Sequence, residues 1–572
     1  MKKILTFFVM TLMCYYVAAN ECFQLLQNNP NPFNGSTEVN LNVADEGEVV
    51  LVVSDVYGRV QLTQNLYLEP GLHRFNLTLA NKGTYVLSAH QNGTGSSIVL
   101  FSSEGGRANT IAYMHSSDAM ECEELNGLMD EWMNGLEDEE AAAVTSSSQA
   151  ASSEPFRVAL SLSPFSLNQF DAGYTFNING KTAATPEELQ SIFRELGSTE
   201  MYVRLATKRH KTYNADGTLD NTTDGKPDEN ANVHTFDQVM QTCRIAAKLN
   251  IPINPEVMCA YIYMDMDGTQ APRFSNDPAS PCYYPELFAD AKFANIMKDG
   301  DPKVWETLSL EDICYVMEKY GEFVADSILA TGATVNDWNL GNEANFGFAG
   351  IGIGTPNSFD KALAKAGPMK RYMSSLFSLG WLKKHVWKYE AQTLAAVQRG
   401  IRNAYKKAGK DASNIKFSTH IATVVATPRA CASFFNYMTE HGYDMQTAGI
   451  SYYPSAPAMS FNKWKLYTKT VTRINKKCGL NVFIGEFSYP SQDMVGPFAG
   501  WNKALKGYKK DQQGQSDIYR DVIEWGKTHG LAGIRYWAPD YEGEWYPMSM
   551  FTFENKVGTA KTILLNHKEI VQ

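Results

Sequence analysis

Trp338-Asn-Leu-Gly-Asn-Glu343 and Val482-Phe-Ile-Gly-Glu486 are short apolar stretches that each end in a glutamate. Apolar runs of this length, punctuated by glycine, read as strands buried on both faces, as in a parallel sheet. The flanking sequence repeats the theme. Val158–Leu162, Glu200–Leu205, Ile251–Val257 and Val335–Leu340 read as strands, and so do Ile415–Ile421, Thr447–Ser451, Asn481–Ile484 and Ala532–Trp537. Helical spacing fills the gaps, with Pro186–Leu196, Phe236–Leu249 and Leu310–Leu329 the clearest cases. Strands alternating with helices imply parallel strands covered by helices. About eight such units over residues 156–572 predict an α/β fold, a (β/α)8 TIM barrel with loop insertions. The competing architecture is an open doubly wound sheet. It usually carries a glycine-rich phosphate turn after its first strand, and none is present.

The sequence before the barrel has a different character. Lys2 and Lys3, the apolar stretch Ile4–Met13 and the small residues Val17-Ala18-Ala19 read as an export signal over residues 1–19. This implies a secreted or cell-surface protein. Cys14 follows Leu12-Met13, a poor context for a lipid anchor, so lipoprotein attachment is the lesser expectation. Residues 20–102 contain Glu48-Val-Val-Leu-Val-Val-Ser-Asp55 and turn signals at Gly58, Pro70-Gly71 and Asn81-Lys82-Gly83. Short strands between turns predict a small all-β sandwich domain. Residues 103–155 are acidic between Glu121 and Glu140, and almost wholly Ala and Ser from Ala141 to Ser153. Such composition predicts a linker.

Bulk properties exclude some functions. Hydrophobic residues make up 44% and charged residues 20%, and the net charge is −11. That sign disfavours nucleic acid or an anionic membrane as partner and suits a neutral substrate. No segment beyond the first residues is apolar enough to span a bilayer. Oligomeric state leaves no trace. Outside the signal there are eight cysteines, at 22, 122, 243, 259, 282, 314, 431 and 478, none in a CxxC pair. A zinc site is not expected, and disulfides and free thiols remain equal alternatives. No metal or other cofactor is predicted. Calcium has only Asp265-Met-Asp267-Gly268 to recommend it, which lacks the full loop pattern.

Barrel enzymes carry their catalytic groups at the C-terminal ends of strands, which is where Glu343 and Glu486 stand. Two carboxylates facing each other across a barrel mouth suit hydrolysis of a glycosidic bond. One acts as general acid/base and the other as nucleophile, with a separation of roughly 5–5.5 Å in retaining enzymes. Glu343 is the candidate acid/base and Glu486 the candidate nucleophile.

Further motifs extend this pattern. Tyr202-Val-Arg-Leu205, Trp305-Glu-Thr-Leu-Ser-Leu310, Leu340-Gly-Asn-Glu343, Lys416-Phe-Ser-Thr-His420, Gly449-Ile-Ser-Tyr-Tyr-Pro454, Ile484-Gly-Glu-Phe-Ser-Tyr-Pro490 and Gly533-Ile-Arg-Tyr-Trp537 follow in order. The series resembles clan A glycoside hydrolases, and most closely family 53, the endo-β-1,4-galactanases. The resemblance implies a polysaccharide substrate and roles by position. Arg204 would hold Glu486 ionised. Asn342 would bond the sugar 2-hydroxyl, and Tyr452 would bond Glu486. His420 would contact Glu343 or the sugar, and Trp537 would floor one sugar ring. The third strand departs from the family. Asn254-Pro-Glu-Val-Met-Cys-Ala-Tyr-Ile-Tyr263 lacks the usual His-Tyr-Ser-Asp run, and residues 344–390 form an insertion beside the acid/base loop. Other clan A specificities (mannan, glucan, an arabinofuranoside) and a non-catalytic glycan-binding barrel are the alternatives. In the N-terminal domain, Asn29-Pro-Asn-Pro-Phe-Asn34, Ser54-Asp-Val-Tyr-Gly-Arg59 and Lys82-Gly-Thr-Tyr-Val86 resemble the type IX secretion sorting domain of Bacteroidota, although that domain usually lies at the C-terminus.

Overall fold

The computed structural model of the protein describes residues 23–29, 33–43, 45–55, 59–91, 94–117, 155–265, 268–298, 302–353, 357–367, 371, 378–423, 426–456 and 463–572. The signal reading of residues 1–19, the acidic and Ala/Ser-rich stretch, Cys22, Cys122 and Asp267 lie outside them. The chain divides into two compact units, the larger starting at residue 148.

The N-terminal unit is two facing sheets. Strands Gln24–Asn29, Ser36–Val43, Gly71–Thr78 and Thr110–Ser117 form one. Phe33–Asn34, Thr94–Glu104, Gly83–Gln91, Gly47–Asp55 and Val60–Leu68 form the other. Alternation along Gly47–Asp55 buries Val49, Leu51 and Val53, which share one core with Val39, Leu41 and Phe75 of the opposite sheet. The sandwich runs beyond residue 102, because Thr110–Ser117 pairs antiparallel with Gly71–Thr78. Among its described side chains that strand contributes only Ile111 to the core, so its sequence does not advertise a buried face.

The larger unit is the barrel. Its strands are β1 (Arg157–Ala159), β2 (Met201–Leu205), β3 (Ile253–Val257), β4 (Trp338–Leu340), β5 (Phe417–Ala422), β6 (Thr447–Tyr452), β7 (Asn481–Phe487) and β8 (Leu531–Tyr536). All pair parallel in the order β1-β8-β7-β6-β5-β4-β3-β2. At the remaining seam, Val158 N donates to Thr199 Oγ1 at 2.8 Å and Thr199 N to Val158 O at 2.9 Å. The eight strands thus nearly close, with helices between them.

Helices α1 (Pro186–Glu195), α2 (Phe236–Leu249), α3 (Leu310–Ala330), α4 (Lys388–Lys407), α5 (Pro428–Glu440), α6 (Lys463–Cys478) and α7 (Gln512–Thr528) follow successive strands. Their starts are written in the sequence. Thr185, Thr235, Ser309, Thr427 and Asp511 cap α1, α2, α3, α5 and α7, each accepting a hydrogen bond from a first-turn amide. The described cysteines, at 243, 259, 282, 314, 431 and 478, are free thiols. No described helix is long and apolar enough to cross a membrane.

Candidate active site

Register sets the level of the site. Arg204 of β2 pairs with Glu256 of β3, and Glu256 with Asn339 of β4. Residues at alternate positions point into the barrel, so these three side chains meet inside it, with His420 of β5 and Arg535 of β8.

Glu486 reaches the same level by a bulge. Phe483 points inward, its ring 4.6 Å from the Arg157 guanidinium. Strict alternation would then send Gly485 inward and Glu486 out to the helix layer. Instead pairing passes from Ile450↔Ile484 to Ser451↔Glu486, and from Ile484↔Ile534 to Phe487↔Tyr536. β7 therefore carries one residue more than either neighbour, and the bulge turns the carboxylate into the barrel. Both small residues around it are needed for close approach. A Cβ on Gly449 would lie 2.3 Å from His420 Cβ, and one on Gly485 would lie 3.1 Å from His420 Cγ.

The carboxylates are held by charge. Arg204 Nε donates to Glu256 Oε1 at 2.7 Å, and its Nη2 donates to Glu486 Oε1 at 3.1 Å. Glu256 also accepts from the Tyr202 hydroxyl at 3.1 Å, Asn339 Nδ2 at 2.9 Å and Arg535 Nη1 at 3.0 Å. The Tyr453 hydroxyl donates to Glu486 Oε2 at 2.5 Å. Burial alone would lift the Glu256 carboxyl, but its charged and hydrogen-bonding partners, Arg204 first, outweigh it and hold it below the usual range. For Glu486 burial wins. It raises this carboxyl above the ordinary value with help from the Glu256 charge, against the pull of Arg204 and of Tyr453. Arg204 thus makes the expected contact and pulls the Glu486 pKa down, but burial outweighs that pull.

Glu343 follows β4 with left-handed backbone at φ 47°. Single non-glycine residues in this region are uncommon and concentrate at functional sites. The chain beyond it is fastened. Asn345 and Ala422 exchange two hydrogen bonds at the end of β5. Trp387 Nε1 donates to Asn345 O and Trp305 Nε1 to Ala349 O, both at 3.0 Å. Parts of the insertion seen in the sequence are therefore a clamp on the acid/base loop. Tyr453 feels both glutamates. Its phenol is pushed far up by burial and then by the charges of Glu486 and Glu343, so it stays protonated.

The remaining expected residues divide. Asn342 donates from Nδ2 to the Met264 carbonyl, and its Oδ1 has no partner among the described residues. His420 lies with Nδ1 at 3.0 Å from Asn339 Nδ2 and Nε2 at 3.8 Å from Glu486 Oε1. Burial lowers its pKa to about 3, so the ring is neutral. With Nδ1 accepting from Asn339, the proton sits on Nε2, toward Glu486. Trp537 packs its face against the Arg204 guanidinium at 4.4 Å. Tyr452 is a correction. Its hydroxyl donates to Lys463 O at 3.4 Å and its ring stacks on Tyr467 of α6 at 4.5 Å, on the outer face of β6. The tyrosine on Glu486 is the next residue, Tyr453. Glu256 escaped sequence reasoning altogether, although a glutamate in the middle of an apolar strand is a rare and readable signal.

Glu256, His420 and Glu486 have oxygen and nitrogen atoms within 4.8 Å of one another, a set that could in principle take a metal. Here the carboxylate oxygens already accept from two arginines, two tyrosines and an asparagine. That donor set fits a charge cluster and not a cation site.

Residues 283–563 match the model of glycosyl hydrolase family 53. The stretch contains both glutamates, His420, Tyr453 and Trp537. No curated protein matches the chain. Among solved structures, the family 53 catalytic domain of Ignisphaera aggregans is 16% identical, covering 74% of this chain and 98% of that one, with a TM-score of 0.48. A fungal β-1,4-galactanase is 14% identical, with 73% and 100% covered and a TM-score of 0.48. Xylanase10C of Cellvibrio japonicus is 11% identical, with 94% and 91% covered and a TM-score of 0.38. The family match, which runs from β4 through β8 of the barrel, makes the chain a glycoside hydrolase of the clan A barrel type.

Proposed function

We propose that this glycoside hydrolase is a secreted retaining enzyme that cleaves internal β-1,4-galactosidic linkages of galactan and arabinogalactan side chains. The observation that carries the mechanism is Glu486, turned inward by a bulge and gripped on one oxygen by Arg204 and on the other by Tyr453. Two fixed donors orient the carboxylate for attack on an anomeric carbon. Its raised basicity favours bond formation once it is ionised. Glu343 protonates the departing glycosidic oxygen, a covalent glycosyl-enzyme forms on Glu486, and Glu343 then takes a proton from the water that releases the sugar. As Glu486 gives up its charge to the new bond, the donor on the oxygen that does not attack, Arg204 for Oε1 or Tyr453 for Oε2, stays in place on the ester carbonyl. The open Oδ1 of Asn342 suits a sugar hydroxyl. Galactan is supported by the family match and by Ser451-Tyr-Tyr-Pro454 and its companion motifs. Export rests on Lys2, Lys3 and the apolar stretch Ile4–Met13.

The test is hydrolysis of β-1,4-galactan, mannan and glucan by the mature protein and by Glu486→Gln, with products separated by size and anomeric configuration followed by NMR. Short galacto-oligosaccharides of retained configuration are expected, reduced on the order of 10⁴-fold in the variant. Release from mannan or glucan instead overturns the substrate, and inverted products overturn the role of Glu486.

A further inference from the structure

His234 stands out among the buried polar side chains. Its ring is 1% exposed, yet neither Nδ1 nor Nε2 has a hydrogen-bond partner among the described residues. Buried polar atoms are nearly always paired, and one left open calls for an explanation. His567 shows the ordinary solution, equally buried with Nε2 on the Tyr519 hydroxyl at 3.2 Å and Nδ1 on Leu196 O at 2.8 Å.

The position of His234 is enforced. Its backbone is left-handed, at φ 60°. Ala206 N donates to its carbonyl at 2.9 Å, which ties it to the end of β2. The next residue, Thr235, caps α2 with a reciprocal Gln238 bond. A histidine held between a strand end and a helix start in an uncommon conformation is pre-placed, not accommodated.

Its surroundings adjoin Arg204. The ring meets Phe165 edge-on at 6.3 Å and lies 6.2 Å from Tyr263. Tyr263 is half-buried, so this wall reaches the surface, and its ring lies under the Arg204 guanidinium at 5.2 Å. Arg204 is the cation on Glu486. Burial, and then the Arg204 charge, keep the imidazole neutral.

Resting on the hydrolase reading above, we infer that His234 is a substrate-contacting residue that hydrogen-bonds a sugar hydroxyl beside Glu486 and helps select the sugar. A neutral imidazole offers one donor and one acceptor, the same pair that a hydroxyl offers in return. A cationic ligand would be repelled by Arg204, and an anionic one would find no charge on the ring. Uncharged polyols remain. A site built to bond a hydroxyl rejects analogues that lack it, because its own buried groups then stay unpaired.

The experiment uses the mature full-length protein, His234→Ala and His234→Asn, with β-1,4-galactotetraose and its monodeoxy analogues. Asparagine tolerates left-handed backbone and keeps a donor and an acceptor. His234→Ala is expected to lose roughly 10- to 100-fold in kcat/KM, with His234→Asn recovering part of it. For one hydroxyl, deoxygenation should slow the wild type but add nothing to His234→Ala. A variant at wild-type kcat/KM, or losses that multiply at every hydroxyl, overturns this inference alone. A wild type that cleaves no glycan overturns the hydrolase reading with it.

Discussion

The sandwich and the barrel are both built on buried strands, but their interiors differ in kind. Inside the sandwich, Val39, Leu41, Val49, Leu51 and Phe75 pack hydrocarbon on hydrocarbon. Inside the barrel, Arg204, Arg535, Glu256 and Glu486 lie buried together with a neutral His420 between them. Burying charge is unfavourable unless every ion is matched. The barrel matches two cations to two carboxylates, so the cluster as a whole is neutral. Such a cluster is a poor route to stability, since apolar residues of like volume do as well or better. What it provides is a set of dipoles and charges fixed before the substrate arrives, which is the main source of enzymatic rate enhancement. The contrast predicts that the barrel's interior is tuned for chemistry and the sandwich's for stability.

Arg204→Met attacks that contrast most strongly. It leaves Glu256 and Glu486 sharing one arginine, so kcat/KM should fall about 10²- to 10³-fold. The sign of the pH effect follows from the direction already present. Glu486 reacts as the carboxylate, so activity falls as pH drops through its pKa, which burial has raised. Removing a nearby cation raises it further, and the acid limb of the kcat/KM profile should move to higher pH. An unmoved limb would mean that Arg204 does not act on Glu486.

Leu51→Ala probes the other interior. Leu51 is almost fully buried in an apolar core, so truncation should lower the stability of the sandwich by about 2–5 kcal/mol. Calorimetry reads this as a lower transition temperature for that unit. An unchanged transition would show that the sandwich core is not the rigid hydrocarbon interior described here.

The barrel was largely legible because parallel strands are apolar throughout and their helices carry the 3.6-residue pattern. Each expected barrel strand has a counterpart within a few residues, as with Thr447–Ser451 against Thr447–Tyr452. Glu343 and Glu486 were singled out because a charged residue at the end of an apolar run is conspicuous. Glu256 was not, because it sits inside a strand and its partners come from β2, β4, β5 and β8. No local pattern records such pairing. His234 is similar, its meaning lying in partners that are missing, which only coordinates can show. The edge strand Thr110–Ser117 failed for want of a buried face. Gly485 was a usable clue, since an isolated glycine in a strand often marks a bulge, but which way the next side chain turns depends on register with β6 and β8.

Tyr452 and Tyr453 give the finest form of the comparison, because they are adjacent, both buried and chemically identical. Along β6, Gly449 backs onto His420 inside the barrel, so Ser451 and Tyr453 share the inner face, and Tyr452 faces the helices. Two rules apply to one dipeptide. Tyr453 belongs to the charged interior, where its hydroxyl is a donor to Glu486. Tyr452 belongs to the packing layer, where its ring on Tyr467 matters more than a long bond to Lys463 O. Tyr453→Phe removes one hydrogen bond to a charged group, worth about 1.5–3 kcal/mol, and should cost roughly 10- to 100-fold in kcat/KM. Tyr452→Phe keeps the stacked ring and should stay within about twofold of wild type in kcat/KM. Steady-state kinetics on the purified variants decides between them. A loss in Tyr452→Phe with Tyr453→Phe unaffected would require the strand to be turned over by one residue, and with it the inward placement of Glu486.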